Sequence, residues 1–596
     1  MADIRAYYNV SNCTSGIYMK DGSILFLSNR SGMNQVWQVR PGEKPVQLTF
    51  LEDRVWSLHA VPGGEDVSLS MDRGGNEQEQ IFLLKKGQAT PKNLTDDDSS
   101  RNQFGGLTPD GKTLVYASNA RSAANFDLCA LDVETGEKRI LLENQDNYNW
   151  PACLSPDGRY LLYNKLRGES DNHLWMFDRE TGEARDLGTP GAYAQYTSPC
   201  FTHDSKTIFL CTDQDSEFKY LARYDIASGT LTKCWATDWD VEDCALSADD
   251  RYLSLLINED GCDTLKVYDR VRRAFVNIPQ PPKGVAGYWG MNWSLEGHRM
   301  LFTLSSASMP AGLWELDLDS KKLGLVVSFP LEEVDPDTLV DAELHHYASF
   351  DGLTVPYWYF RAPGAQEGPG AVLINIHGGP EGQERPMFAP LTQYLLSQGI
   401  SIVAPNVRGS VGYGKTYTHL DDVEKRLDSV RDIDSLVAHL IETGIADKDR
   451  IAVMGGSYGG FMTLSCVARY PKLWACGVDV VGMTNLVTFL ENTSEYRRAH
   501  RESEYGSLAH DREVLYNVSP IAKADDITAP LMVIHGANDP RVPVTEAELI
   551  VNSLRNRQVE VKYLRYEDEG HGLAKRKNQY DCYPQVAEFL KKHLHV

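Results

Sequence analysis

The chain has 596 residues, with 83 acidic against 59 basic side chains and a formal net charge of −24. Such an acidic chain repels phosphate backbones and anionic lipid, which excludes a dedicated nucleic-acid or membrane-surface binder. Hydrophobic residues at 42%, aromatics at 10% and charged residues at 24% are the balance of a folded globular protein, not a disordered one.

No stretch approaches the ~18 consecutive apolar residues of a membrane span. The opening Met-Ala-Asp-Ile-Arg carries an early acid and no apolar core, unlike a secretory signal. The eleven cysteines are odd in number and contain no C-x-x-C pair. They read as buried reduced thiols and predict a cytoplasmic location.

One signature recurs through the first half: a turn, an apolar run, a polar stretch, then a second run that in the later units ends in Asp. The turns close at Gly22, Gly64, Gly111, Gly158, Ser205, Asp250 and Gly297, spaced by 42 to 47 residues. The runs that follow read ILFLSN, VSLSM, TLVYAS, YLLYNK, TIFLCT, YLSLLI and RMLFTL. The second runs of repeats three to seven end at Asp132, Asp178, Asp225, Asp269 and Asp317. Four strands fit a unit of about 45 residues, which is a propeller blade, and seven units predict a seven-bladed β-propeller. The repeated Asp and Gly residues then close turns. No position gathers metal ligands, and the adjacent His345 and His346 point to opposite faces of a strand, so neither metal nor cofactor is expected.

After Pro330 the pattern changes to strands alternating with helices. Residues 371–377, 400–406, 450–454, 474–481, 530–535 and 559–566 read as strands. Residues 423–442, 458–470, 545–555 and 579–593 read as helices. Apolar strands separated by helices imply a mostly parallel sheet covered on both faces. The expected division is a propeller over 1–335 and an α/β-hydrolase catalytic domain over 336–596.

One strand runs into Gly455-Gly456-Ser457-Tyr458-Gly459-Gly460 and a helix follows, which is the context of a G-x-S-x-G nucleophile elbow. A serine hydroxyl needs a base to take its proton and a carboxylate to orient that base. In this fold the order is serine, acid, histidine. Among the downstream histidines, His500 and His510 lie in a charged stretch, and His535 precedes every well-placed acid. His593 and His595 end the last helix. His571, in Asp-Glu-Gly-His-Gly after the last strand, sits where the base belongs. Asp539, past the strand ending at His535, is the preferred acid, while Asp568 reads as solvent-facing between Glu567 and Glu569. The backbone amides of Tyr458 and of Gly379, in His377-Gly378-Gly379-Pro380, are the expected oxyanion donors. His377 reads as a brace for that loop.

A seven-bladed propeller followed by a hydrolase domain with GGSYGG, HGGP and HGANDPRVP resembles the prolyl oligopeptidase family of serine peptidases, over essentially the whole chain. Within it the chain is most similar to the acylaminoacyl-peptidase branch. His377 stands where other branches carry an oxyanion-binding Tyr, Gly456 stands where the dipeptidyl peptidases carry Trp, and no Glu-Glu motif for a free amino terminus is found. The resemblance gives Arg541, two residues after the acid, the role of binding the substrate carbonyl that precedes the P1 residue. It also makes the propeller a filter that admits short peptides, so the expected partners are peptide substrates, with no nucleic acid and no membrane. A homo-oligomer is left open. The alternative within enzymes is an esterase or amidase, because the same groups serve any acyl transfer.

Overall fold

The computed structural model describes residues 2–146, 148–287, 290–364 and 368–596. Residues 13–327 fold into seven four-stranded antiparallel sheets, each made from one continuous stretch, which is the seven-bladed propeller. The aspartates that mark the repeats close turns between the third and fourth strands. Asp132 Oδ1 accepts from the Glu134 and Thr135 amides, Asp178 from Glu180, Asp269 from Val271 and Asp317 from Asp319. These are Asx turns, and they explain the periodicity without any ligand.

Because no blade borrows a strand from another, side chains close the ring. Cys13, Tyr18, Phe26 and Trp37 of the first blade pack with Leu301, Leu313 and Val327 of the seventh. Tyr18 adds a hydrogen bond to Glu315 at 2.7 Å.

The second half contains an eight-stranded sheet. Its order is Glu343–Ala348, Thr354–Phe360, Ser401–Pro405, Gly370–Ile376, Ala446–Gly456, Cys476–Val480, Leu531–Gly536 and Val561–Tyr566. The last six strands are parallel to one another. The first two run antiparallel at one edge and were not among the six expected. The outermost, Glu343–Ala348, is polar and largely exposed at the rim, whereas Thr354–Phe360 is an apolar, mostly buried run that the strand pattern passed over.

Helices Arg426–Glu442, Tyr458–Arg469 and Thr545–Asn556 cover one face through Val430, Ile433, Phe461, Leu464 and Ile550. Helices Pro390–Ser397 and Arg576–Leu594 cover the other through Leu395, Leu396, Val586 and Leu590. Each fully buried aliphatic side chain here contributes about 1.5–3 kcal/mol relative to exposure. The helix Ile4–Asn9 docks on this second face: Ile4 joins its core, and Tyr8 stacks on Tyr583 at 4.5 Å. The segment read as propeller therefore begins with a helix packed on the hydrolase domain. Among the described residues no helix is long and apolar enough to cross a membrane.

Candidate active site

Strand Ala446–Gly456 delivers Ser457 at φ 58° and ψ −116°, and helix Tyr458–Arg469 begins at the next residue. A non-glycine residue there is strained, and the surroundings hold it. Ser457 N–H donates to the Val480 carbonyl at 2.9 Å. A Cβ on Gly459 would collide with the Ile376 carbonyl oxygen, so only glycine lets the helix start this close to the neighbouring strand. Tyr458 is fully buried, its hydroxyl bonded to Asp421 at 2.9 Å and to Ser429 at 2.8 Å.

The loop after strand Gly370–Ile376 lies against the elbow. A Cβ on Gly378 would stand 3.1 Å from the Gly456 carbonyl and 3.4 Å from Ser457 Cβ. Gly379 lines the same cavity as Ser457, and Tyr458 follows the serine directly at the start of the helix. His377 is half-buried, with Nδ1 2.8 Å from the Gly378 carbonyl and Nε2 2.8 Å from Ser410 Oγ. Burial pushes its pKa down, and its contacts are those of a brace.

His571 follows strand Val561–Tyr566, and its Nδ1 lies 2.7 Å from Asp539 Oδ2. Asp539 is buried, and its Oδ1 accepts from the Arg541 and Val542 amides at 2.8 and 3.0 Å. Burial alone would raise its pKa, but the charge and hydrogen bond of His571, then His535 and the Val542 amide, hold it below the usual carboxylate range. His535 donates Nε2–H to the Val542 carbonyl at 2.9 Å, with the same nitrogen 3.5 Å from Asp539 Oδ2. Asp568 faces Lys575, Lys577 and Asn578, and these partners, the hydrogen bond from Lys577 foremost, pull its pKa far down. Ser457 and His571 line one cavity of about 550 Å³, and no hydrogen bond joins Ser457 Oγ to His571 among the described residues. Such bonds commonly tighten when substrate binds.

The cavity lies between the domains. Tyr148, Trp150, Leu166 and Glu169 of the propeller wall one side, and Met483, Phe489 and Val542 make an apolar corner on the other. Arg541 also lines it, but its Nε is paired with Glu77 of the propeller at 2.5 Å. Helix Glu495–Tyr505 contributes Tyr496, Arg497, His500 and Arg501. Sequence reasoning missed these and Tyr505, which also lines the cavity, setting His500 aside in a charged stretch. The signal was the spacing: Tyr496, His500 and Glu504 recur every fourth residue, and so do Arg497, Arg501 and Tyr505. His500 is buried against Tyr148, which pushes its pKa down to about 4.

From the cavity a chain of charges, buried from Glu504 inward, reaches the elbow. Arg501 lies 3.4 Å from Glu169 and 3.5 Å from Glu504, and donates to the Gly379 carbonyl at 3.4 Å. Glu504 pairs with Arg426 at 3.0 Å, and Arg426 with Asp421 at 2.5 Å. Burial pushes Glu504 up to about 8 and Asp421 up to about 6, against the pull of their arginines. No group of side chains suited to a metal ion occurs among the described residues.

Residues 386–596 match the family model described as the prolyl oligopeptidase family. The dipeptidyl aminopeptidase BIII of Pseudoxanthomonas mexicana is 27% identical over 94% of this chain and 83% of its own length. Dipeptidyl peptidase family member 6 of Caenorhabditis elegans is 36% identical over 38% of this chain. The acylamino-acid-releasing enzyme of Arabidopsis thaliana is 30% identical over 37% of it. These two are matched over 31% and 30% of their own lengths. A puromycin-hydrolyzing peptidase of Mycobacterium tuberculosis has the same fold, with a TM-score of 0.87 over 100% of this chain and 96% of its own, at 19% identity. Over residues 386–596 the chain thus matches the prolyl oligopeptidase family, and over the rest of its length the likeness is one of fold.

Proposed function

We propose that this chain hydrolyses short peptides through an acyl-enzyme, with Ser457 as nucleophile, His571 as base, Asp539 as the acid that orients it, and the amides of Tyr458 and Gly379 as oxyanion donors. The observation that carries this reading is the 2.7 Å Asp539–His571 pair opening onto the same cavity as a serine on a strained strand-to-helix turn. His571 Nε2 takes the Ser457 proton as Oγ bonds to the substrate carbonyl carbon, and the carbonyl electron pair moves onto oxygen beneath the two amides. When that pair returns, the C–N bond breaks and the leaving amine takes the proton from His571. Water then repeats the sequence on the ester. Arg541 holds the carbonyl preceding P1 with the guanidinium nitrogens that Glu77 does not engage. The mode is that of an acylaminoacyl-peptidase or an oligopeptidase.

A second reading, release of dipeptides from a free amino terminus, is favoured by the dipeptidyl aminopeptidase relative matched over most of the chain and by two carboxylates, Glu169 and Glu381, that line the cavity. Matched chromogenic amides with acetylated and free amino termini separate the two modes. Ser457→Ala should abolish labelling by a fluorophosphonate probe and lower kcat/KM by roughly a thousandfold or more. Asp539→Asn should be nearly as damaging, whereas Asp568→Asn should leave more than half of the activity. Labelling that survives in Ser457→Ala overturns the assignment of the nucleophile.

A further inference from the structure

Three guanidinium groups line the active-site cavity. Arg541 is paired with Glu77, and Arg501 is shared between Glu169 and Glu504. Arg497, one turn before Arg501 on helix Glu495–Tyr505, donates its backbone N–H to the Ser494 carbonyl at 2.9 Å, but its guanidinium has no hydrogen bond or ion pair with any described residue. Its side chain is half-buried, and its charge is disfavoured by that burial and then by Arg501 and Arg541. The rings of Tyr148, Trp150 and Tyr496 and the carboxylates of Glu169 and Glu381 line the cavity with it. Glu169 is engaged by Arg501, and Glu381 is held toward its neutral form by burial and by Glu504 and Glu169. An unpaired cation withdrawn from bulk water is costly until a counter-charge arrives.

The position of Arg497 says which part of a ligand brings that charge. Thr493 Oγ1 and Ser494 Oγ donate to the carbonyls of Arg541 and Pro540, both at 2.9 Å, so the start of the helix is tied to the Arg541 loop. One turn further on, Arg501 reaches the Gly379 carbonyl beside the oxyanion amides. Arg497 therefore stands on the side of the cavity toward Arg541, which the function proposed above gives to the acyl portion of the substrate; the inference rests on that reading. We propose that Arg497 is a specificity-determining residue that receives a carboxylate on the acyl side, so that peptides with Asp or Glu immediately before P1 are preferred over their uncharged isosteres. A guanidinium suits the task because its planar fork can hold a carboxylate by two parallel bonds.

The test uses chromogenic amides with Leu at P1 and Glu, Gln or Lys before it, each made with free and with acetylated amino termini. In the unmodified enzyme kcat/KM should favour Glu over Gln by about 10- to 100-fold, the range of a charge-assisted bond in a sheltered site, with Lys poorest. The Glu-to-Gln ratio should fall to near one in Arg497→Met and be partly retained in Arg497→Lys, whatever happens to the absolute rates. If Arg497→Met does not fold, Arg497→Gln supplies the same ratio. A ratio of one or less in the unmodified enzyme overturns the proposal. A Glu preference that survives in Arg497→Met also overturns it, because Arg501 or Arg541 then reads the carboxylate. If no amide is cleaved by an enzyme that still labels at Ser457, the peptidase reading fails and this proposal with it.

Discussion

Asp479 shows how the elbow is built at the scale of single residues. It is fully buried beneath the turn, and neither carboxylate oxygen has a hydrogen bond among the described residues. A Cβ on Gly460 or Gly482 would collide with its Oδ1, so these two glycines make room for it. Burial pushes its pKa up to about 7. An unfolded Asp ionises near pH 3.9, so between about pH 4 and pH 7 the folded state binds the extra proton and stability falls as pH rises. Asp479→Asn removes that dependence. Urea unfolding at a series of pH values should show the variant gaining on the unmodified protein by about 2–4 kcal/mol between pH 4 and pH 7. A difference that stays flat over that window would mean that Asp479 titrates as it does in water. The motif GGSYGG was legible in the sequence, but the acid packed against its last glycine comes from the next strand and was not.

At the scale of elements, the blade periodicity was plain because each blade repeats the same turn chemistry. The seam between the first and last blades was not, because it depends on which side chains meet after the ring closes. Leu313, fully buried in strand Met309–Asp317, fills that seam and stands 2.9 Å from where a Cβ on Gly16 would lie. Leu313→Ala should cost about 2–5 kcal/mol, the usual range for a buried leucine that leaves a cavity. Hydrogen exchange should quicken in strand Cys13–Tyr18 as well as in the seventh blade. Exchange confined to the seventh blade would show that side-chain packing does not close the ring. Helix Glu495–Tyr505 is the other element that sequence reading passed over. Its charged residues look like a solvated surface, yet Tyr496, His500, Glu504 and Tyr505 are buried against the propeller and the elbow.

For the whole molecule, the central fact is that the cavity of the candidate active site has walls from both domains. The pairs Glu77–Arg541 and Glu169–Arg501, and the Arg101 bond to the Tyr496 hydroxyl at 3.1 Å, cross the interface at the cavity. Farther round, Arg385 reaches Asp263 at 2.5 Å and Glu242 at 3.2 Å. A site of about 550 Å³ held this way has the size of a small-molecule pocket and not of an open cleft. Cleavage should therefore fall steeply as peptide substrates are lengthened, and an intact native globular protein should resist under conditions where a short peptide is consumed. A time course on gels, with the peptide assayed in parallel, checks this. Rapid digestion of the native protein would remove the propeller's role as a filter and leave the chemistry of Ser457 untouched.

The sequence by itself determined what is local or periodic. Seven blades followed from turns spaced by 42 to 47 residues, the hydrolase sheet from apolar strands alternating with helices, and the elbow from glycines around Ser457 between a strand and a helix. His571 and Asp539 could be chosen because chain order and loop position restrict the candidates, and the structure brings these two within 2.7 Å. Only the tertiary structure decided what depends on contacts between distant segments. It closed the propeller through Leu313, laid the helix Ile4–Asn9 on the hydrolase face, and paired Arg541 with Glu77 across 464 positions. It also turned a run of charged residues into one wall of the cavity. The physical reason is that turn chemistry and strand periodicity act over a few residues, whereas burial, ion pairing and the shape of a cavity belong to surfaces that exist only once the chain has folded.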